Sequence, residues 1–116
     1  MNDNLLLELT EACYNKVESE FLEDKYLKSS PLKTMLNLLF LNGFSSLHNF
    51  TQFLINKYQS DLDLNEIFTR QSAGGYYKNE DEEEVLTWVV IPNQRQILLS
   101  FFKSVIRDLQ LKQLIQ

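Results

Sequence analysis

The chain has 116 residues, 44% hydrophobic and 23% charged, a balance that fits one folded domain and excludes wholesale disorder. Three glycines and two prolines are too few for the many tight turns of an all-β fold, and the abundance of Leu, Phe, Glu, Lys and Gln favours helices. A net charge of −5 argues against nucleic acid as a partner, because phosphate binding draws its affinity from cations.

Residues 3–27 read as an amphipathic helix. Leu6, Leu9, Cys13, Val17 and Phe21 recur three or four residues apart and so share one face, widened by Leu5, Leu7, Tyr14 and Leu22. The opening MNDNLLLELTEACY has no basic leader, and Glu8 and Glu11 break its apolar run, so it does not read as a signal peptide. No stretch approaches the ~18 uninterrupted apolar residues of a membrane span. Cys13 is the only cysteine, which rules out an intramolecular disulfide and leaves a Cys-based zinc site without ligands. A reducing, cytoplasmic location is the expectation.

Ser30 can cap a second helix, with Pro31 at the first helical position, where a missing N–H costs nothing. The helix then runs over residues 32–41, apolar on nearly every side, and stops at Asn42-Gly43. Its uniform apolarity predicts the central core helix. Ser45 or Ser46 can cap a third helix reaching Gln59, with Leu47, Phe50, Leu54 and Tyr58 as its buried line and Phe53 alongside. Asp61 or Asp63 can cap a shorter fourth helix through Leu64, Ile67 and Phe68, ending near Arg70.

Residues 85–91, VLTWVVI, carry two signals. Asn79 followed by Glu82, Glu83 and Glu84 resembles a capped helix start, whereas the β-branched residues and Trp88 favour a strand, with Tyr76-Tyr77 as its hairpin partner. Pro92 follows at once, and the balance favours the hairpin, which must pack on the helices to be stable. Asn93 can cap a last helix to Leu114, with Ile97, Leu98, Phe101, Val105 and Leu109 on one face. The expected fold is mainly α: residues 1–116 as a single helical domain, a compact bundle of about five helices, with or without one small β-hairpin near residues 75–91. Residues 1–27 hold seven acids against Lys16 and Lys25, and residues 93–116 hold Arg95, Lys103, Arg107 and Lys112 against Asp108, so the two ends should attract each other within the fold.

The candidate working surface is residues 71–84, QSAGGYYKNEDEEE. Its five acids, Glu80, Asp81, Glu82, Glu83 and Glu84, equal the whole net charge of −5. Tyr76 and Tyr77 beside them are amphipathic anchors of the type enriched at binding hot spots, and the carboxylates can accept bidentate bonds from arginine. Gly74-Gly75 is no phosphate loop, because tyrosines and acids follow instead of a Lys-Ser/Thr pair.

Signals for catalysis are thin. His48 is the only histidine; Ser45, Ser46 and Cys13 are nominal partners, but no G-x-S-x-G motif surrounds any serine. Cys13 lies on an apolar stripe and reads as a buried spectator. Five acids in a row point in different directions and do not converge on one ion. No catalytic residue, metal or cofactor is therefore expected. The sequence reads as a protein-binding module for a basic partner, through Tyr76, Tyr77 and residues 80–84, in the manner of an inhibitor or immunity protein, chaperone or adaptor. This is an analogy of composition, since inhibitors of nucleases are commonly small and acidic. Two alternatives stand beside it. One is a magnesium-dependent hydrolase or nucleotide-binding enzyme using the E-x-x-E pairs Glu8/Glu11 and Glu20/Glu23. The other is a self-associating structural subunit, a homodimer, because Leu111, Leu114 and Ile115 carry apolar surface to the end of the last helix.

Overall fold

The computed structural model describes residues 1–19, 29–72 and 86–115, and among these residues the chain forms five α-helices and one two-stranded antiparallel sheet. The first helix, α1 (Asp3–Ser19), supplies the middle of the core. Leu6, Leu9, Cys13 and Val17 are buried at the predicted three- and four-residue steps. The buried polar groups on this helix are satisfied locally, since Thr10 Oγ1 donates to the Leu6 carbonyl and Ser19 Oγ to the Lys16 carbonyl, both at 2.7 Å. The last helix, α5 (Arg95–Ile115), packs along α1 and buries Leu98, Leu99, Phe102, Val105 and Leu109. Gln113 Nε2 donates to Asn4 Oδ1 at 2.6 Å, so the end of α5 meets the start of α1 and the pair is antiparallel. The described part of the acidic end, α1, thus lies beside the basic α5.

The second helix, α2 (Ser29–Leu41), is not the central helix that its apolar sequence predicts. It packs on α1 and touches α3, and those neighbours cover only one side, burying Met35 and Leu39. Leu32, Phe40 and Leu41 remain 38%, 57% and 82% exposed. Its stop falls where predicted. Gly43 adopts φ +85°, its N–H bonds the Phe40 carbonyl at 3.2 Å, and the Phe44 N–H reaches back to Leu39 at 2.9 Å. The chain then turns Phe44 onto the next helix, edge-to-face with Phe50 at 5.0 Å.

Ser46 caps α3 (Leu47–Tyr58), accepting from the Asn49 N–H at 3.0 Å. Phe50 and Leu54 are fully buried, and Gln59 closes the helix at φ +52°. Asp63 then caps a single turn, α4 (Leu64–Ile67), accepting from the Asn65 N–H at 2.9 Å.

At Phe68 the chain becomes extended, with φ −114° and ψ 148°, and enters β1 (Phe68–Ser72). The fourth helix therefore ends before Arg70, short of the predicted boundary. Phe68 and Arg70 sit in register with Val90 and Trp88 of β2 (Leu86–Val90), a pairing that overrides the helical spacing of Leu64, Ile67 and Phe68. The partner of the LTWVV strand is thus Phe68–Ser72; Tyr76 and Tyr77, expected in that place, lie outside the described residues. The Ile91 N–H bonds the Ile67 carbonyl at 2.8 Å and fastens the base of the hairpin. Asn93 does not cap α5: it lies within a 3₁₀ turn, Pro92–Gln94, entered from Ile91 with Pro92 at its start.

Candidate functional site

A groove of about 680 Å³ opens between α2, the start of α3 and the hairpin, with Lys16 of α1 at its side. Three local facts build it. The cap at Ser46 fixes where α3 begins, which sets His48 in its first turn. The antiparallel register puts Arg70 directly opposite Trp88 on one face of the hairpin, two residues along from Phe68 and Val90. The single turn of α4 leads straight into β1 and holds that face against α3.

Aromatic contacts lock the wall. The His48 ring lies flat on Trp88, centroids 4.0 Å apart and planes 7° from parallel, and meets Phe68 edge-on at 5.2 Å. The Arg70 guanidinium lies 4.7 Å from the centre of the Trp88 ring, a cation–π pair of ~0.5–1 kcal/mol at an exposed position. Burial first, and then the Arg70 charge, holds the His48 pKa below its ordinary value. His48 is therefore a neutral aromatic surface at neutral pH rather than a cation. The opposite wall is apolar, formed by Leu32, Met35 and Leu36 of α2. No Asp or Glu is among the described residues that line the groove.

Tyr76, Tyr77, Glu80, Asp81, Glu82, Glu83 and Glu84 all lie outside the described residues. The structure does place the strands that lead to them, since Ser72 pairs with Leu86. Cys13 is fully buried, and burial drives its thiol far above the ordinary range, with Lys16 pulling weakly the other way. Ser46 Oγ is engaged as the cap of α3 and His48 is stacked on Trp88. Glu8 and Glu11 are exposed on α1, while Glu20 and Glu23 lie outside the described residues. Among the described residues, no group of three or more His, Cys, Asp and Glu side chains is placed to hold a metal ion, and no helix is long and apolar enough to cross a membrane.

From the sequence, His48 reads as an ordinary position near a helix start or a partner for a nucleophile, and Trp88 as a strand residue that must pack on helices; neither reading brings the two rings together. Their stacking spans forty positions of sequence. The one local clue was the cross-strand pairing of Arg70 with Trp88, which is legible only once β1 is known. The chain matches no protein-family model, no curated protein and no solved structure.

Proposed function

We propose that this chain is a non-catalytic protein-binding module acting in the cytoplasm, in the manner of an inhibitor, immunity protein or adaptor. The observation that carries the reading is the apolar surface of α2. Leu32 and Leu36 line the groove, and the helical spacing extends the same stripe to Phe40, which is 57% exposed. Leu41 is exposed beside it. A row of large apolar side chains along a helix, bordering a groove walled by stacked aromatics, is the composition of a protein contact surface. Tyr76, Tyr77 and the acids Glu80, Asp81, Glu82, Glu83 and Glu84 provide a second contact by their chemistry, suited to a basic partner.

The test uses the protein as bait in its own cells, in three forms: wild type, Phe40→Ser/Leu41→Ser, and Tyr76→Ala/Tyr77→Ala/Glu83→Lys. A stoichiometric partner kept by wild type and lost from either variant, with helicity unchanged by circular dichroism, is the expected result. Recovery of nothing by wild type would remove the reading.

One observation favours a second reading, self-association as a homodimer. Leu111, Leu114 and Ile115 are 52%, 82% and 84% exposed at the end of α5, and their spacing sets them on one face.

A further inference from the structure

The molecule as a whole is acidic, yet the described lining of its groove is not. Arg70, exposed at the rim, and Lys16 are the charged residues that line it, and no carboxylate is among the described residues there. Between them the lining combines apolar Leu32, Leu36 and Val90 with neutral polar Ser45, Asn49 and Thr87. Arg70 is also held in place, because Trp88 beneath it is pinned by His48. A guanidinium positioned by stacking keeps its donor edges for a carboxylate and loses little side-chain freedom when it binds one. Screening confines such attraction to about 8–10 Å at physiological salt, so the local charge of the groove governs a docked ligand more than the net charge does.

We infer that the groove binds a segment of a partner protein in which carboxylates alternate with large apolar side chains. The carboxylates pair with Arg70, and an apolar side chain lies on Leu32 and Leu36. The groove continues by helical spacing into the exposed stripe of α2, so a polypeptide can follow it further than a small molecule would. This inference rests on the protein-binding reading and deepens it. The groove and residues 80–84 are opposite in sign, so they select different segments of a partner.

The test is a titration of the full chain with a short fluorescein-labelled peptide of alternating Glu, Leu and Phe, read by anisotropy. Trp88, the single tryptophan, reports from the groove itself through its emission. Saturable binding with a change in Trp88 emission is expected, weakened about tenfold by Arg70→Gln. Leu32→Ser should weaken it too, and both variants should retain wild-type helicity. The same peptide with Lys in place of Glu should bind at least about tenfold more weakly. Equal or tighter binding of the Lys peptide, or no binding of the Glu peptide, would overturn the inference. Tighter binding to a Glu82→Gln/Glu83→Gln/Glu84→Gln variant would make the chain's own acidic run the occupant, and would overturn it as well. A partner captured through Phe40 and Leu41 while the Glu peptide fails to bind would leave the protein-binding reading standing and remove only this one.

Discussion

A neutral imidazole stacked on an indole makes His48 sensitive to acid. Its folded-state pKa lies below the ordinary 6.5, through burial first and Arg70 second. On acidification the unfolded chain therefore takes up the proton before the folded one does. The stability that His48 contributes is complete above about pH 6.5 and is lost as the pH falls through that value, until the folded imidazole protonates as well. Position adds to the effect, because the first turn of a helix disfavours a cation. The urea midpoint should thus drop more between pH 7 and about pH 5.5 in wild type than in His48→Gln, even though the variant starts lower for want of the stack. Equal slopes in the two proteins would show that His48 does not titrate in this way. Tyr58 is a different case of the same physics. Its hydroxyl is buried with no hydrogen-bond partner among the described residues, and burial, Asp108 and Asp3 all raise its pKa. It stays protonated at neutral pH.

Two helices end in the left-handed region, and they do so with different residues. Gly43 closes α2 at φ +85°, and Gln59 closes α3 at φ +52°. Gly43 has no atom within 4 Å of where a Cβ would sit, so the conformation rather than space requires glycine there. Gln59 has the same need without the same freedom, and its N–H and that of Ser60 both bond the Ile55 carbonyl, which holds it in place. Gln59→Gly should raise stability by about 0.5–1 kcal/mol, and Gly43→Ala should lower it by about 1 kcal/mol. Chemical denaturation of the two variants measures both, and a destabilised Gln59→Gly would mean that the glutamine side chain contributes more than its backbone costs.

Such ends are also where the sequence was most readable. Ser46, Asp63 and Asn42-Gly43 act through bonds to their own neighbours, so their meaning is local and survives folding, whereas α2 starts at Ser29, before the expected Ser30 cap and with Pro31 already inside its first turn. The fate of Phe68 was not local. Leu64, Ile67 and Phe68 fit a helical face, and only pairing with Val90, twenty-two residues on, makes Phe68 extended. The same limit explains α2, because a count of apolar residues does not reveal how many neighbours will cover them. It also explains the groove, whose three aromatic and cationic partners come from α3, β1 and β2 and share no motif.

On the scale of the molecule, α1 and α5 form the axis and the other elements are laid against it. The last buried side chain of α5 is Leu109, yet the helix continues to Ile115 with Leu111, Leu114 and Ile115 exposed. The Lys112–Asp108 pair at 3.6 Å is half exposed and contributes little, so the exposed Gln113–Asn4 hydrogen bond is the main described contact of the terminal turns with the rest of the chain. Sedimentation velocity over a wide concentration range should show a dimer that Leu114→Ser/Ile115→Ser dissociates. A monomer at every concentration would leave these turns without a self-contact to explain them.

The fastening at the base of the hairpin has a consequence for how this chain can change over time. Ile67 and Ile91 are hydrogen-bonded to each other, and five paired rungs follow from Phe68 with Val90 out to Ser72 with Leu86. The segment beyond those rungs leaves and returns at one place. The ladder therefore fixes where the chain departs and returns whatever the length of the segment between 72 and 86, and doubling that segment costs only about 0.6 kcal/mol in closure entropy.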